Sequence, residues 1–157
     1  MGLLLTLLLN TACSQMTYNE KLESLYKKTV PLVKPSEIIG LEDAVLLDTR
    51  TIEEFKVSHL PSAKFIDYDK FQIKDIQKIP KDAKIIIYCS VGYRSEKIGE
   101  QLMKNGYVNV KNLYGGIFQW KNEGFEVINA NNQPTDSVHT HNKKWSKWLT
   151  NGVKVYD

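Results

Sequence analysis

The chain has 157 residues, a mass of 18.0 kDa and a formal net charge of +3. Its 42% hydrophobic and 25% charged residues are typical of one globular domain, and they exclude a disordered tail, a collagen-like chain and a multi-pass membrane protein. The small positive charge gives no reason to expect nucleic-acid binding. Two cysteines, Cys13 and Cys89, are too few for a disulfide framework.

The first thirteen residues differ in character from the rest of the chain. No charged residue precedes Glu20, and residues 3–9 form a leucine-rich run that is too short to span a bilayer. Small residues then lead to Cys13, so the segment resembles a bacterial lipoprotein signal. The resemblance implies lipidation at Cys13, membrane attachment and a place in the cell envelope, facing the periplasm. The alternative is a buried N-terminal helix turn with an inert cysteine, and a cytoplasmic protein.

A tether and one helix are predicted for residues 14–37, where Leu22, Leu25 and Tyr26 share one helical face. Strands and helices then alternate through residues 38–130. Strands are predicted at 44–47, 63–66, 85–88 and 108–113, and helices at 51–55, 95–105 and 117–122.

This alternation predicts an α/β fold with a small, mostly parallel sheet and helices on both faces. Residues 85–88 are the most hydrophobic and β-branched of the strands, so we expect them at the centre of the sheet. Residues 131–157 begin with turn-forming residues and form a C-terminal extension.

Cys89 follows the predicted central strand and lies just before a predicted helix. Ligands bind at this edge of open α/β sheets, and a helix N-terminus favours an anion there. Gly92 permits an unusual backbone conformation, and Arg94 adds a positive charge. These features favour the thiolate form of Cys89 and a nucleophilic role for it. The alternative is that Cys89 is a small buried hydrophobe without chemistry.

Residues 89–95 (CSVGYRS) resemble the C-x-x-G-x-R-S loop of single-domain rhodaneses, which are sulfurtransferases. Residues 47–50 (LDTR), with 54–55 (EF), and 58–63 (SHLPSA) resemble the family's upstream signature. Residues 113–120 (LYGGIFQW), with 123–124 (EG), resemble its downstream one. The three motifs occur in the family's order over about ninety residues, from near Ile38 to Asn129. The resemblance therefore implies the rhodanese-like fold.

The resemblance also implies a reaction in which Cys89 takes a sulfane sulfur from thiosulfate or another persulfide donor. The resulting persulfide then passes this sulfur to a thiol or to cyanide, without a metal or an organic cofactor. The residues implied to bind the substrate sulfur are Ser90, Val91, Gly92, Tyr93, Arg94 and Ser95.

Other functions remain as alternatives to sulfur transfer. A rhodanese module can dock a partner protein without catalysis. Phosphatases of related fold resemble C-x5-R, with a loop one residue longer than this one. A thiol redox protein is disfavoured because no second cysteine lies near Cys89.

Several polar residues near the motifs are expected to be structural. Asp48 and Arg50 are predicted to form an ion pair at the sheet edge, although they could also touch the active loop. His59 is expected to be a turn residue rather than a base. Gly115 and Gly116 indicate a close backbone approach near the floor of the site.

The C-terminal extension contains two histidines and two tryptophans that need an explanation. His139 and His141 could bind a metal, but no third ligand is near them in sequence. Trp145 and Trp148 lie three residues apart among lysines, which could suit a membrane interface. We expect instead that both tryptophans pack the extension onto the domain.

Overall fold

The computed structural model describes residues 15–41 and 43–156, so Cys13 and the leucine-rich run lie outside the described residues. The strands are β1 (Leu32–Val33), β2 (Val45–Asp48), β3 (Lys64–Phe65), β4 (Ile85–Tyr88), β5 (Val110–Leu113), β6 (Val127–Ile128), β7 (Pro134–Thr135), β8 (Ser137–His139) and β9 (Val153–Val155). The helices are α1 (Tyr18–Leu25), α2 (Pro35–Ile38), α3 (Ile52–Val57), α4 (Tyr93–Lys104), α5 (Gly116–Asn122) and α6 (Lys143–Ser146), with a 3₁₀ turn at Ile73–Ile76.

Five parallel strands form the main sheet in the order β1-β5-β4-β2-β3. Strand β4 lies at the centre, with Ile87 opposite Leu47 of β2 and Asn112 of β5. All four residues of β4 are buried, as expected for a parallel strand covered on both faces. The predicted α/β class and the central position of this strand are confirmed.

Helices cover both faces of this sheet. Ile86 and Tyr88 of β4 belong to a hydrophobic cluster that includes residues of α1 and α5. Ile85 and Ile87 belong to a second cluster, which includes residues of α4. Alternate residues of β4 thus pack into the clusters on opposite faces of the sheet, because successive side chains of a strand point to opposite faces.

The sheet begins earlier than the predicted boundary at residue 38. Strand β1 lies between Pro31 and Pro35 and pairs with β5, placing Leu32 opposite Asn112. A two-residue strand is too short to show a period in the sequence. Helix α4 also begins two residues before the predicted start at Ser95.

The C-terminal extension packs against the rest of the domain. Val138 and Leu149 are fully buried in the same cluster as α1 and α5. Trp145 and Trp148 pack against this cluster, and the Trp148 ring stacks on Tyr18 with centroids 5.5 Å apart. Packing of both tryptophans onto the domain is therefore confirmed.

Candidate functional site

Cys89 lies directly after β4 and is 1% exposed. The backbone N–H of Gly92 donates a hydrogen bond to Cys89 Sγ, with N and S 3.1 Å apart. Gly92 has a φ of 95° and precedes the first residue of α4. A side chain at Gly92 would be strained, and its Cβ would also lie 2.8 Å from Cε1 of Tyr26. Glycine therefore permits the turn that brings this N–H to the sulfur.

The hydroxyl of Tyr26 fixes the peptide that carries this N–H. It donates to the carbonyl of Val91 at 2.7 Å and accepts from the N–H of Gly115 at 2.8 Å. In a trans peptide, the carbonyl of Val91 and the N–H of Gly92 point in opposite directions. Anchoring the carbonyl on Tyr26 therefore turns the N–H toward Cys89. Burial raises the pKa of Tyr26, so the phenol stays protonated and able to donate.

The backbone carbonyls of Cys89 and Ser90 accept hydrogen bonds from the first turn of α5. The N–H of Ile117 donates to Cys89 at 2.9 Å, and the N–H of Phe118 donates to Ser90 at 3.1 Å. Gly116 permits this contact, because a Cβ there would lie 2.7 Å from the carbonyl carbon of Ser90. The expected close backbone approach is confirmed at Gly116, whereas a Cβ at Gly115 would meet the side chains of Gln119 and Leu22.

Asn112 of β5 connects the end of the loop to the sheet. Its side-chain amide donates to the carbonyl of Gly92 at 2.9 Å and accepts from the Ser95 hydroxyl at 2.8 Å. Asn112 is fully buried. Asn112 shares a face of β5 with the buried Val110, whereas Lys111 between them is exposed. This alternation was the available sequence signal for the contact, because buried polar groups need partners.

Arg94 pairs with Glu54, a residue of the upstream signature for which no role in the site was predicted. The guanidinium makes two hydrogen bonds of 2.8 Å to the carboxylate, which also accepts one of 2.9 Å from the Ser90 hydroxyl. The Glu54 side chain is 1% exposed. Thr51 is the N-cap of α3 and forms a capping box with Glu54. The T-x-x-E pattern was therefore a partial sequence signal for the position of Glu54.

The charge of Arg94 keeps the buried carboxylate ionised. Burial alone would raise the pKa of Glu54, but the hydrogen bonds and charge of Arg94 outweigh it and lower the pKa to about 2. The same pairing raises the pKa of Arg94 against the opposing effect of burial. The charges of Arg94 and Glu54 thus offset each other beside the Cys89 loop.

Of the remaining predicted loop residues, Tyr93 is the most exposed. Its side chain is at the surface, and Lys97 Nζ lies 5.9 Å from its ring centroid. Val91 and Ser95 are buried.

Asp48 and Arg50 form the predicted ion pair. The Arg50 guanidinium donates to Asp48 at 2.7 Å and to the carbonyl of Ser58 at 2.6 Å, with both ionic side chains fully buried. His59 also proves structural, since its ring stacks on Phe55 with centroids 3.8 Å apart. These residues fix the segment after β2 rather than contact Cys89.

The profile of the Rhodanese-like domain family matches residues 36–123. The chain belongs to this family. The "Sulfurtransferase" of Allochromatium vinosum is 37% identical over 87 residues, which cover 55% of this chain and 80% of that protein. A rhodanese-like domain protein of Staphylococcus aureus has a similar structure, with a TM-score of 0.52 and 31% identity, over 60% of this chain and 94% of that one.

A tRNA uridine(34) hydroxylase of Erwinia tasmaniensis is 34% identical over 96 residues. The match covers 56% of this chain but 27% of that protein, so the chain spans about a quarter of the hydroxylase's length.

A pocket of about 300 Å³ lies against the Cys89 loop. Loop residues between Cys89 and Arg94 line one part of it. The other part consists of Leu25, Thr140, His141 and Trp145, which we name the outer wall. The outer wall was not predicted from the sequence, because its residues lie far from Cys89 along the chain.

The two histidines of the extension differ in exposure. His139 is buried in β8, whereas His141 is exposed in the outer wall. Across residues 15–41 and 43–156, no group of three or more His, Cys, Asp or Glu side chains could hold a metal ion. None of the helices in this part of the chain is long and apolar enough to cross a membrane.

Glu54→Gln should make the free energy of unfolding less dependent on pH. The carboxylate has a lowered pKa when folded, so its contribution is present above its ordinary pKa of 4.5 and is lost as pH falls toward 2. We expect the wild type to lose about 3 kcal/mol more than Glu54→Gln between pH 6 and pH 2. Urea unfolding at a series of pH values measures this, with the exposed Glu53→Gln as control. Equal pH dependence of wild type and Glu54→Gln would contradict the assignment.

Tyr26→Phe should slow alkylation of Cys89 by iodoacetamide about tenfold, because the Gly92 N–H is then no longer held on the sulfur. Mass mapping of the Cys89 peptide gives the rate. Tyr107→Phe is the matched control, since this buried hydroxyl also donates to a backbone carbonyl, that of Ile76 at 2.9 Å, away from the site. Both variants should lose about 1–3 kcal/mol of stability. A Tyr26→Phe rate equal to that of Tyr107→Phe would show that Tyr26 has no positioning role.

Proposed function

We propose that this protein is a sulfurtransferase in which Cys89 is the nucleophile. The observation that carries the proposal is the 3.1 Å hydrogen bond from the Gly92 N–H to Cys89 Sγ, beside a pocket of about 300 Å³. A donor fixed on Sγ is placed to stabilise the negative charge on that sulfur when it attacks the donor and again when it leaves in the second step. The name of the Allochromatium vinosum relative supports the same reaction class.

The reaction proceeds in two half-reactions. The Cys89 thiolate attacks the outer sulfur of a sulfane donor such as thiosulfate, and an S–S bond forms to that sulfur. The donor's own S–S bond breaks, and its electron pair leaves with sulfite. An acceptor thiolate or cyanide then attacks the outer sulfur of the persulfide, and the Cys89 thiolate leaves. Such covalent catalysis gives ping-pong kinetics.

The loop from Ser90 to Ser95 would bind the transferred sulfur through its backbone N–H groups. The carbonyls of Ser90, Val91 and Gly92 already have partners outside the loop, so the following N–H groups need no reorganisation during the reaction. Arg94 contributes by fixing Ser90 and Glu54 in place.

Treatment with thiosulfate should add the mass of one sulfur atom to the intact protein. Cyanide or dithiothreitol should remove it, and Cys89→Ser should gain none, because serine cannot form a persulfide. Intact-mass spectrometry measures the adduct, with Cys13→Ser as the matched control that still gains sulfur. An equal adduct on Cys89→Ser would show that Cys89 is not the nucleophile. Absence of any adduct on the wild type with every sulfane donor would favour a partner-docking module instead.

We propose further that Cys13 is lipidated and that the rhodanese domain is attached to a membrane of the bacterial envelope, facing the periplasm. The uncharged, leucine-rich segment before Cys13 and the small residues next to it support this. The mature chain would then keep one free thiol, Cys89. That thiol is open to over-oxidation in such a compartment, so a reductant or a persulfide partner is required there.

A labelled fatty acid should be incorporated into the full-length protein in a bacterial host, and the protein should sediment with membranes. Cys13→Ala should be unlabelled and soluble, because the acceptor thiol is gone. Cys89→Ala should label like the wild type, which separates lipidation from active-site chemistry. Soluble, unlabelled wild-type protein would refute the anchor and favour the cytoplasm.

A further inference from the structure

Two segments outside the residues matched to the family complete the active-site pocket. Leu25 comes from the end of α1, and the other three residues of the outer wall come from the C-terminal extension. The wall faces the same pocket as Cys89. It is therefore placed to contact whatever group is attached to the sulfur that reaches Cys89.

The extension is fixed in this position by contacts remote from the pocket. Lys121 and Asp136 form an ion pair of 2.7 Å, and the Asn122 amide donates to the carbonyl of Trp148 at 2.9 Å. The Trp148 ring stacks on Tyr18 of α1. The outer wall is thus held by packing and hydrogen bonds that do not involve the pocket itself.

The pocket offers little charge to an anionic ligand. Arg94 is the one Lys or Arg among the described residues that line it, and both of its terminal nitrogens are bonded to Glu54. His141 is the remaining titratable group of the wall. Leu25, Val91 and Trp145 present apolar or aromatic surface instead. A dianion such as thiosulfate therefore meets a neutral ion pair rather than a free cation.

We propose that the outer wall selects sulfane donors that carry a small apolar group, up to the size of a phenyl ring, with Trp145 and Leu25 as specificity residues. The proposal rests on the sulfurtransferase function proposed above and names its substrate class. A volume of about 300 Å³ is at the small end of ligand pockets, and burial of a ring against Trp145 and Leu25 removes apolar surface from water.

Organic thiosulfonates test this class directly. The Cys89 thiolate attacks the outer sulfur of R–SO2–S⁻, the S–S bond of the donor breaks, and its electron pair leaves with the sulfinate R–SO2⁻. Benzenethiosulfonate and methanethiosulfonate differ in R but share this chemistry and the single negative charge. We therefore compare the ratio of their kcat/KM values, with cyanide as acceptor, between variants. A change in this ratio reports a change in the contact between the pocket and R, because the intrinsic reactivity of the two donors cancels.

The wild-type ratio of benzenethiosulfonate to methanethiosulfonate should fall about tenfold in Trp145→Ala. Leu25→Ala should lower it as well, through a different segment, so the test survives if one variant does not fold. Tyr156→Ala is the control, because it removes an exposed aromatic ring of the same extension that neither lines the pocket nor packs the extension onto the domain core. It should keep the wild-type ratio.

Unchanged ratios in both Trp145→Ala and Leu25→Ala would overturn the proposed selectivity while leaving the sulfurtransferase function intact. An equal fall in Tyr156→Ala would also overturn it, because the ratio would then respond to changes in the extension away from the pocket. Failure of all three sulfane donors, thiosulfate included, to load Cys89 would instead remove the proposed function itself. Intact-mass spectrometry of the donor-treated protein distinguishes that case.

Discussion

The carbonyl groups of residues 89–92 all have hydrogen-bond donors from other parts of the chain, and that of Gly92 also accepts from the Glu96 N–H of α4 at 3.2 Å. The carbonyls of Cys89 and Ser90 accept hydrogen bonds from backbone N–H groups at the N-terminus of α5. Those of Val91 and Gly92 accept from the Tyr26 hydroxyl and the Asn112 amide, respectively. Because each peptide is planar and trans, turning the carbonyl outward turns the following N–H the other way. The Gly92 N–H, which reaches Cys89 Sγ, is the direct product of this constraint.

The constraint explains why distant parts of the chain converge on one loop. Helix α5 supplies backbone donors, and its start must be glycine because Gly116 lies against the loop backbone. Tyr26 and Asn112 supply side-chain donors from the N-terminal segment and from β5. Each unsatisfied buried carbonyl would cost about 1–3 kcal/mol, so the loop conformation depends on all of these partners together.

The ion pair of Glu54 and Arg94 adds a second, electrostatic constraint. It orders the Ser90 side chain and cancels a charge that the sequence alone suggests is free for substrate. Arg94 therefore remains a predicted substrate-binding residue whose guanidinium is already engaged. Selectivity then depends on the loop N–H groups and on the shape of the pocket, to which the outer wall contributes.

The central strand β4, the position of Cys89 directly after it and the left-handed Gly92 could be predicted, because each depends on a short stretch of sequence. Glu54 was partly visible through its capping box with Thr51. Tyr26 and Trp145 could not be predicted, since their roles follow from packing between segments more than fifty residues from Cys89. Strand β1 was missed because two residues show no period.

The central claim is that Cys89 bears the transferred sulfur while the loop and its supports stay as they are. A crystal structure of the protein after loading with sulfane sulfur tests it most directly. We predict one added sulfur bonded to Cys89 Sγ and facing the pocket, with the Arg94 and Glu54 pair intact. An unmodified Cys89, or an Arg94 side chain that has left Glu54 to bind the donor, would contradict this account.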